Sequence, residues 1–259
     1  MSFSAKDIRV APISSKDAAA CIKRYHYSGK VMQNSQLHLG VFLDGKLHGA
    51  MQFGPSMDKA NIVGLVRDTK WNDFLELNRM AFGPALPKNS ESRALGVAMR
   101  MIRKHYPNIE WVVSFADGTQ CGDGTIYRAS GFHLTGINKN KSLWFIPGLG
   151  VISEMTIKSS PEKYGLFEHS GGGAHIATFA KAKGGYPLPG FQLRYLYFIN
   201  PAAKDRLTVP ILPFSKIDEL GAAMYRGKKR AGSSDNAAST FQAEEGGASP
   251  TPALQTNPT

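Results

Sequence analysis

The sequence is poor in cysteine, poor in acidic residues and free of long apolar runs. Its 259 residues include two cysteines, Cys21 and Cys121, too few for a disulfide framework or an all-cysteine zinc site. No stretch approaches the roughly 20 apolar residues that cross a bilayer. The first ten residues lack the charged-then-apolar pattern of a secretory signal. We therefore expect a cytoplasmic protein with no membrane partner.

The shortage of acidic residues leaves a strong positive charge. Thirty-one Lys plus Arg stand against 20 Asp plus Glu, a formal net charge of +11. A chain this basic attracts polyanions, nucleic acid first among them, although the same charge could serve solubility alone. With 42% hydrophobic residues, the chain can bury the core of one elaborated domain or of two small ones.

The pattern of apolar and turn residues predicts a mixed α/β fold. Ser14 and Asp17 have the spacing of a helix capping box, and Asp44-Gly45 suits the positive φ of a tight hairpin turn. The run 111–116 is almost entirely apolar, as in a strand covered on both faces. The predicted elements are a helix ending near 25, a hairpin of strands 37–43 and 46–53, a strand 74–82, a helix from 89 or 90 to 107, a strand 111–116, a helix 125–130, a strand from 131 with 143–146 as its hairpin partner, and a strand 192–199.

One hexapeptide resembles the Arg/Gln-x-x-Gly-x-Gly/Ala signature of the GCN5-related N-acetyltransferases. It is RALGVA at residues 93–98. A helix start supplies free N–H groups and a positive dipole end that hold a pyrophosphate. The resemblance implies that Arg93, Leu95, Gly96 and Ala98 bind acetyl-CoA or a related acyl-CoA. The alternative is an ordinary amphipathic helix with an incidental glycine.

The order of the elements extends this resemblance along the chain. The stretch IYRASGF at 126–132 is similar to the acyltransferase region whose tyrosine protonates the departing thiolate, here Tyr127. The alternative for Tyr127 is a core ring beneath the sheet. We expect an acyltransferase-like core over residues 1–150, a C-terminal elaboration packed on it over 151–226, and a disordered tail over 227–259, where the composition shifts to Ala, Ser, Gly, Pro and Thr.

Four segments in combination resemble the Mom family of bacteriophage DNA-modification proteins. They are YHYSG at 25–29, ELNRM at 76–80, SRALG at 92–96 and the stretch from 116 to 127. The resemblance implies a transferase with an acyltransferase-like fold in the cytoplasm of a bacterial host. Its substrate would be double-stranded DNA, in which the exocyclic amine of adenine becomes a carbamoylmethyl (methylcarbamoyl) derivative. That change protects the DNA from host restriction.

The same resemblance implies the site residues. His26, Asp117 and Tyr127 match positions linked to iron (Fe²⁺), and Tyr27, Arg79, Ser92 and Tyr127 match positions tied to activity. Imidazole, carboxylate and phenolate are reasonable iron ligands.

Each of these residues also has a structural alternative. His26 could cap the first helix, and Asp117 could cap the helix that follows it. Arg79 could pair with Glu76 or Asp73, and Ser92 could be a first-turn helix residue.

Adenine N6 lies inside a duplex, so the base must be exposed before it can react. Aromatic and basic side chains would then stack on the base and neutralise phosphates. The candidates are Tyr25, Trp144, Arg194, Tyr195, Tyr197, Lys204, Arg206 and the basic run 226–230. Two other functions fit the sequence less fully: an acetyl-CoA-dependent N-acetyltransferase for a small amine or a protein, and a non-enzymatic DNA-binding protein. The sequence leaves the oligomeric state, including a dimer, open.

Overall fold

A computed structural model of the chain describes residues 3–166, 175–225 and 228–229. Its strands are β1 (Arg9–Pro12), β2 (Leu37–Leu43), β3 (Lys46–Gly54), β4 (Phe74–Phe82), β5 (Trp111–Asp117), β6 (His133–Lys139), β7 (Leu143–Ile146), β8 (Gly150–Ser153), β9 (Tyr186–Pro187), β10 (Phe191–Phe198), β11 (Met224–Tyr225) and β12 (Lys228–Lys229). The α-helices are α1 (Ser15–Tyr25), α2 (Lys59–Ile62), α3 (Ser90–His105), α4 (Thr125–Ala129), α5 (Glu154–Lys158), α6 (Pro161–Tyr164), α7 (Ile176–Ala182) and α8 (Ser215–Glu219). Short 3-10 helices span Ala5–Asp7, Val63–Leu65 and Pro201–Arg206.

Seven strands form one mixed sheet in the order β1-β2-β3-β4-β5-β10-β6. Neighbouring strands run antiparallel except for β4 and β5, which run parallel. The helix α3 connects this parallel pair, as a parallel crossover requires. The predicted mixed α/β fold is confirmed.

The first helix and the hairpin form where their local signals place them. The Ser14 hydroxyl accepts the Asp17 backbone N–H at 3.0 Å and donates to the Asp17 carboxylate at 2.7 Å, so α1 begins at a capped residue. Asp44 and Gly45 have φ values of 47° and 72°, as a tight turn between β2 and β3 demands. The Ala18 and Ile22 side chains on the buried face of α1 are fully covered. This packing holds the end of α1 against the sheet.

The long helix α3 provides most of the helical contribution to the main core. Its fully buried side chains include Leu95, Ala98 and Ile102, which recur at the three- and four-residue spacing of one helix face. They share one apolar cluster with Leu39 and Val112 of the sheet. Burial of this face fixes α3 across the sheet, directly after β4.

The segment after β6 builds a second, smaller sheet, in the order β8-β7-β9. The predicted hairpin of 143–146 with the strand from 131 is therefore wrong, because β7 pairs with β8 and β9. The small sheet has its own apolar cluster, around Trp144 and Phe179. The chain then returns through β10, which lies between β5 and β6 in the main sheet. The main sheet thus includes a strand from beyond residue 150, where the sequence analysis places the end of the core.

Two expectations concern the ends and the surroundings of the fold. The predicted tail, 227–259, lies outside the described residues except for Lys228 and Lys229, which pair with Tyr225 and Met224. In the part of the chain that the structure describes, no helix is long and apolar enough to cross a membrane.

Truncation of a core side chain of α3 tests this packing. We expect Leu95→Ala to lower the free energy of unfolding by about 2–5 kcal/mol, since it leaves a cavity in the core. The exposed Arg100→Ala on the same helix is the matched control, with an expected change within about 0.5 kcal/mol. Urea unfolding followed by circular dichroism measures both, and equal effects would contradict the described packing.

Candidate active site

The central strands β4 and β5 are paired over only part of their length. Their parallel register joins Phe74 to Trp111, Leu75 to Val112 and Glu76 to Val113. Beyond Glu76 and Val113, β4 and β5 no longer pair with each other. Past this point β4 continues to pair with β3, and β5 pairs with β10 as far as residue 117. The two strands therefore separate and open a wedge in the middle of the sheet.

Side chains from five parts of the chain converge at this wedge. The Tyr27 hydroxyl, just after α1, donates to Asp117 Oδ2 at the end of β5, at 3.3 Å. Other charged and polar side chains lie close enough to shift the pKa values of His26, Tyr27 and Tyr127. The cluster consists of His26 and Tyr27 after α1, Glu76 and Arg79 on β4, Asp117 on β5, Cys121 in the following loop and Tyr127 on α4.

The Asp117 carboxylate anchors the strand end and the following loop. Its Oδ1 accepts the backbone N–H groups of Thr119 at 3.0 Å and Gln120 at 3.3 Å. Burial raises the pKa of this carboxyl above its usual value, and these hydrogen bonds with that of Tyr27 oppose the rise. Burial and the neighbouring Asp117 charge raise the pKa of Tyr27. Tyr27 is therefore a neutral donor to Asp117, although the residue as a whole is about half exposed (52%).

The His26 imidazole is held neutral beside this pair. Its Nδ1 lies 2.8 Å from the Ser28 hydroxyl, and its ring centroid lies 4.3 Å from that of Tyr27. Burial, with a contribution from the positive charge of Arg79, lowers its pKa to about 4. The backbone N–H of His26 continues the α1 hydrogen bonds, donating to the Ile22 carbonyl at 2.9 Å. The predicted cap role at the end of the helix therefore belongs to the backbone, and the ring remains available for chemistry.

Arg79 carries a positive charge into the wedge. Its Nε donates to the Lys30 carbonyl at 3.1 Å and its Nη1 to the Asn78 carbonyl at 2.7 Å. Both acceptors are uncharged, and among the described side chains Arg79 forms no ion pair with Glu76 or Asp73. A guanidinium that is positioned by carbonyls and keeps its full charge suits an anionic ligand.

Tyr127 belongs both to the cluster and to the core. Its ring packs against those of Tyr195 at 5.2 Å and Phe132 at 5.4 Å. Burial raises the pKa of Tyr127 to about 12, and the Ser114 hydroxyl only partly offsets the rise. The core-ring interpretation and the general-acid interpretation are therefore compatible, because packing keeps the phenol protonated.

Sequence reasoning does not single out Glu76 as a site residue. Burial raises the pKa of this carboxyl, although Ser56 and Asn78 side chains and the Met57 backbone donate hydrogen bonds to it. It is near enough to Tyr127 to raise the pKa of that phenol. The available signal is a carboxylate between Leu75 and Leu77 in a strand, where an unpaired charge is costly.

The residues predicted to bind the acyl-CoA lie on α3, apart from the cluster. Leu95 and Ala98 are fully buried and belong to the core, and the Ser92 hydroxyl donates to the Asn89 carbonyl at 3.2 Å. The helix begins at Ser90, so the N–H groups without a partner in an α-helix precede Leu95. Cofactor binding by Arg93, Leu95, Gly96 and Ala98, and a catalytic role of Ser92, stay predictions.

Two of the aromatic side chains expected to stack on DNA are buried. Tyr195 is fully covered, and its hydroxyl donates to the Asp123 carbonyl at 2.5 Å. Trp144 is 5% exposed, in the core of the small sheet. The expectation for these two residues is wrong, because both faces of β10 and the inner face of β7 pack against other elements.

The family that the motifs indicate is borne out by comparison. A model described as the Mom protein family matches residues 7–216. The chain belongs to the Mom protein family. The methylcarbamoylase Mom of Escherichia phage Mu is 33% identical over 210 residues, which are 81% of this chain and 83% of that protein.

Solved structures of N-acetyltransferases match this member of the Mom family weakly. The ribosomal-protein-S18-alanine N-acetyltransferase of Escherichia coli has a TM-score of 0.40 and 11% identity, covering 74% of this chain and 94% of that chain. An acetyltransferase of Bacillus subtilis in complex with CoA has a TM-score of 0.39 and 8% identity, covering 74% and 97%.

Iron binding by His26, Asp117 and Tyr127 stays a prediction. Within residues 3–166 and 175–225, no three His, Cys, Asp or Glu side chains are grouped so that they could hold a metal ion. The Asp117 carboxylate already accepts from two backbone N–H groups and from Tyr27.

Gly96 offers a test of the predicted cofactor site. An added Cβ would meet nothing closer than Arg100 Nη1 at 3.7 Å, so Gly96→Ala should raise the free energy of unfolding by about 0.5–1 kcal/mol. If the pyrophosphate approaches this backbone, the same change weakens CoA binding in calorimetric titration. Gly64→Ala, where an added Cβ meets nothing within 4 Å, is the control. Unchanged CoA affinity would remove Gly96 from the cofactor site.

Arg79 should influence the protonation of His26. Because a nearby cation disfavours imidazolium, Arg79→Gln should raise the pKa of His26 above about 4 while burial keeps it below 6.5. A titration of the imidazole by NMR measures this shift. Arg103→Gln is the matched control, since Arg103 Nε also donates to a backbone carbonyl, that of Ile199. Titration of wild-type His26 near its usual pKa would refute the described environment.

Proposed function

We propose that this chain is a transferase that modifies adenine in double-stranded DNA. The modified atom is the exocyclic N6, the product is a carbamoylmethyl (methylcarbamoyl) derivative, and the benefit is protection of phage DNA from host restriction. The observation that carries the proposal is the convergence of His26, Tyr27, Arg79, Asp117 and Tyr127 at one wedge in a chain of the Mom family. The methylcarbamoylase activity named for the phage Mu relative supports it.

Formation of a new bond at N6 requires removal of a proton from that amine. His26 suits this task, because its pKa of about 4 leaves the imidazole neutral at pH 7 and its position beside Tyr27 is fixed by ring packing. A neutral imidazole within reach of the amine is a general base. The Tyr27 hydroxyl, directed by Asp117, can orient the incoming base.

The leaving group, in contrast, needs a proton donor. The N6–carbon bond forms as the bond between that carbon and the leaving group breaks. An ordinary acyl-CoA, with its thiolate as the leaving group, would give an amide, so the carbamoylmethyl product requires a donor whose CH2 carbon carries the leaving group. Tyr127 remains a phenol at neutral pH and can donate a proton to such a group. Arg79 is positioned by two backbone carbonyls. Its positive charge can stabilise the negative charge that develops on the leaving group.

Double-stranded DNA as the substrate accounts for the charge of the chain. A formal net charge of +11 favours a polyanion and speeds its encounter. Because N6 is paired inside the duplex, the adenine must leave the stack to reach a wedge that lies inside the sheet.

Mass spectrometry of nucleosides tests the proposal directly. Expression in bacteria should produce a new adenosine species in digested DNA. We expect His26→Gln to reduce its rate of formation by about 100-fold or more through loss of the general base, and Tyr27→Phe by about tenfold through loss of one hydrogen bond to a carboxylate. The exposed residues His105 and Tyr106 provide the matched controls His105→Gln and Tyr106→Phe.

Three other outcomes would decide against the proposal. Acetylated amines or proteins with unmodified nucleosides would identify an ordinary N-acetyltransferase. Unmodified nucleosides with DNA retained by the protein would identify a DNA-binding protein. Full activity of both His26→Gln and Tyr27→Phe would show that the chemistry takes place elsewhere.

A further inference from the structure

A second concave site lies on the other side of the loop that follows α1. It is a cavity of about 520 Å³ between α1, residues 31–35 and the edge of β2 and β3. This volume is within the range of small-molecule sites. Its walls include Lys16, Lys23, Met32, His38 and Gln52, and none of its lining residues is acidic.

The floor of the cavity contains a buried amide with an unused acceptor. Gln52 is 1% exposed, and its Oε1 has no hydrogen-bond partner within the described structure. Its Nε2 lies 3.2 Å from His38 Nδ1, and burial lowers the pKa of His38, which keeps that ring neutral. A buried acceptor without a partner destabilises the free protein. A ligand that brings an N–H group to this point would remove that destabilisation.

The rim of the cavity is positively charged. Lys16 and Lys23 are exposed residues of α1, seven positions apart, so they lie on the same helix face about two turns from each other. Two ammonium groups beside a cavity with no acidic lining attract an anion, phosphate above all. The complementary ligand therefore has an N–H donor at one end and a phosphate at the other, which is the pattern of a nucleotide.

The position of the cavity links it to the active site. Gln52 on β3 is the register partner of Arg79 on β4 and of His38 on β2. Side chains of directly opposed residues lie on the same face, about 5 Å apart. The row His38, Gln52, Arg79 thus leads along one face of the sheet from the cavity to the wedge.

We propose that this cavity binds a nucleotide that flanks the target adenine in the DNA strand. The exocyclic amine of its base donates to Gln52 Oε1, and its phosphate lies between Lys16 and Lys23. The inference rests on the proposed function, since it takes DNA as the substrate. Contacts to flanking nucleotides set sequence preference in enzymes that act on extruded bases, so this site would select an amine-bearing neighbour.

Binding of mononucleotides to the full-length protein tests the site without any catalysis. Met32 lines the cavity, so its 13C-labelled methyl group reports binding there, while Met101 on α3, which packs against the main core cluster and does not line the cavity, serves as the reference. dCMP should shift the Met32 resonance and bind about two- to tenfold more tightly than the 2-pyrimidinone analogue, which lacks only the amine. Equal affinities, or no response of Met32, would overturn the proposal.

Variants distinguish the contribution of Gln52, on the floor of the cavity, from that of Lys16 and Lys23, on its rim. Gln52→Met should bring the affinity ratio of the two nucleotides close to one. Lys16→Ala with Lys23→Ala should weaken both nucleotides about tenfold and keep their ratio, since only phosphate contacts are lost. Lys46→Ala with Lys104→Ala, also exposed, removes the same charge and should change neither. If both double variants lost the same nucleotide affinity, the loss would reflect the net charge of the protein and not a phosphate contact with Lys16 and Lys23. That result would contradict the site.

Failure of this site and failure of the proposed function give different results. A modified adenosine species without a Met32 response to dCMP would refute the flanking site alone. Amine-selective binding with unmodified nucleosides would refute the proposed chemistry, while the cavity would remain a nucleotide site.

Discussion

The separation of β4 from β5 is the constraint on which the rest of the site depends. Two neighbouring parallel strands share only three register pairs, and beyond them each strand must find other partners for its polar groups. Part of this need is met by the loops that enter the gap: the Lys30 carbonyl accepts from Arg79, and Asp117 accepts from the backbone of its own loop. Polar side chains are thereby drawn into the interior of a sheet that is otherwise strongly apolar.

Burial then sets the protonation of the cluster. It lowers the pKa of His26 and raises those of Tyr27, Asp117 and Tyr127. All four shifts favour the neutral form of each group, as desolvation requires. The wedge consequently offers a neutral imidazole, His26, and two neutral phenols, Tyr27 and Tyr127, close together at pH 7, the combination that proton transfer to and from an amine needs. Arg79 is the exception, because a guanidinium stays charged, and its charge has no carboxylate partner among the described residues.

Local signals in the sequence are sufficient for the elements that surround the site. The capping box at Ser14 and the turn at Asp44-Gly45 depend on neighbours in sequence, and both form as predicted. The four residues of β7 pair with β8 and β9. The apolar pattern of so short a strand does not indicate which strands will be its neighbours. The family resemblance, and not the local pattern, predicts that His26, Asp117 and Tyr127 converge. Local patterns alone place Asp117 and Tyr127 on one crossover and leave His26 to the tertiary fold.

The face of the sheet beneath α1 explains why the wedge and a second cavity adjoin one helix. Ala50 and Ala81 are register partners whose small side chains let Ala18 and Ile22 approach closely. Two residues along the strands, the same face carries Gln52 and Arg79. These larger polar side chains do not allow the helix backbone to approach as closely, so the following loop must cover them instead. Its residues bind Arg79 on one side, through the Lys30 carbonyl, and line the cavity above Gln52 on the other. A single change from alanine to polar residues along two strands therefore turns a helix-packing surface into a polar surface that faces the wedge and the cavity.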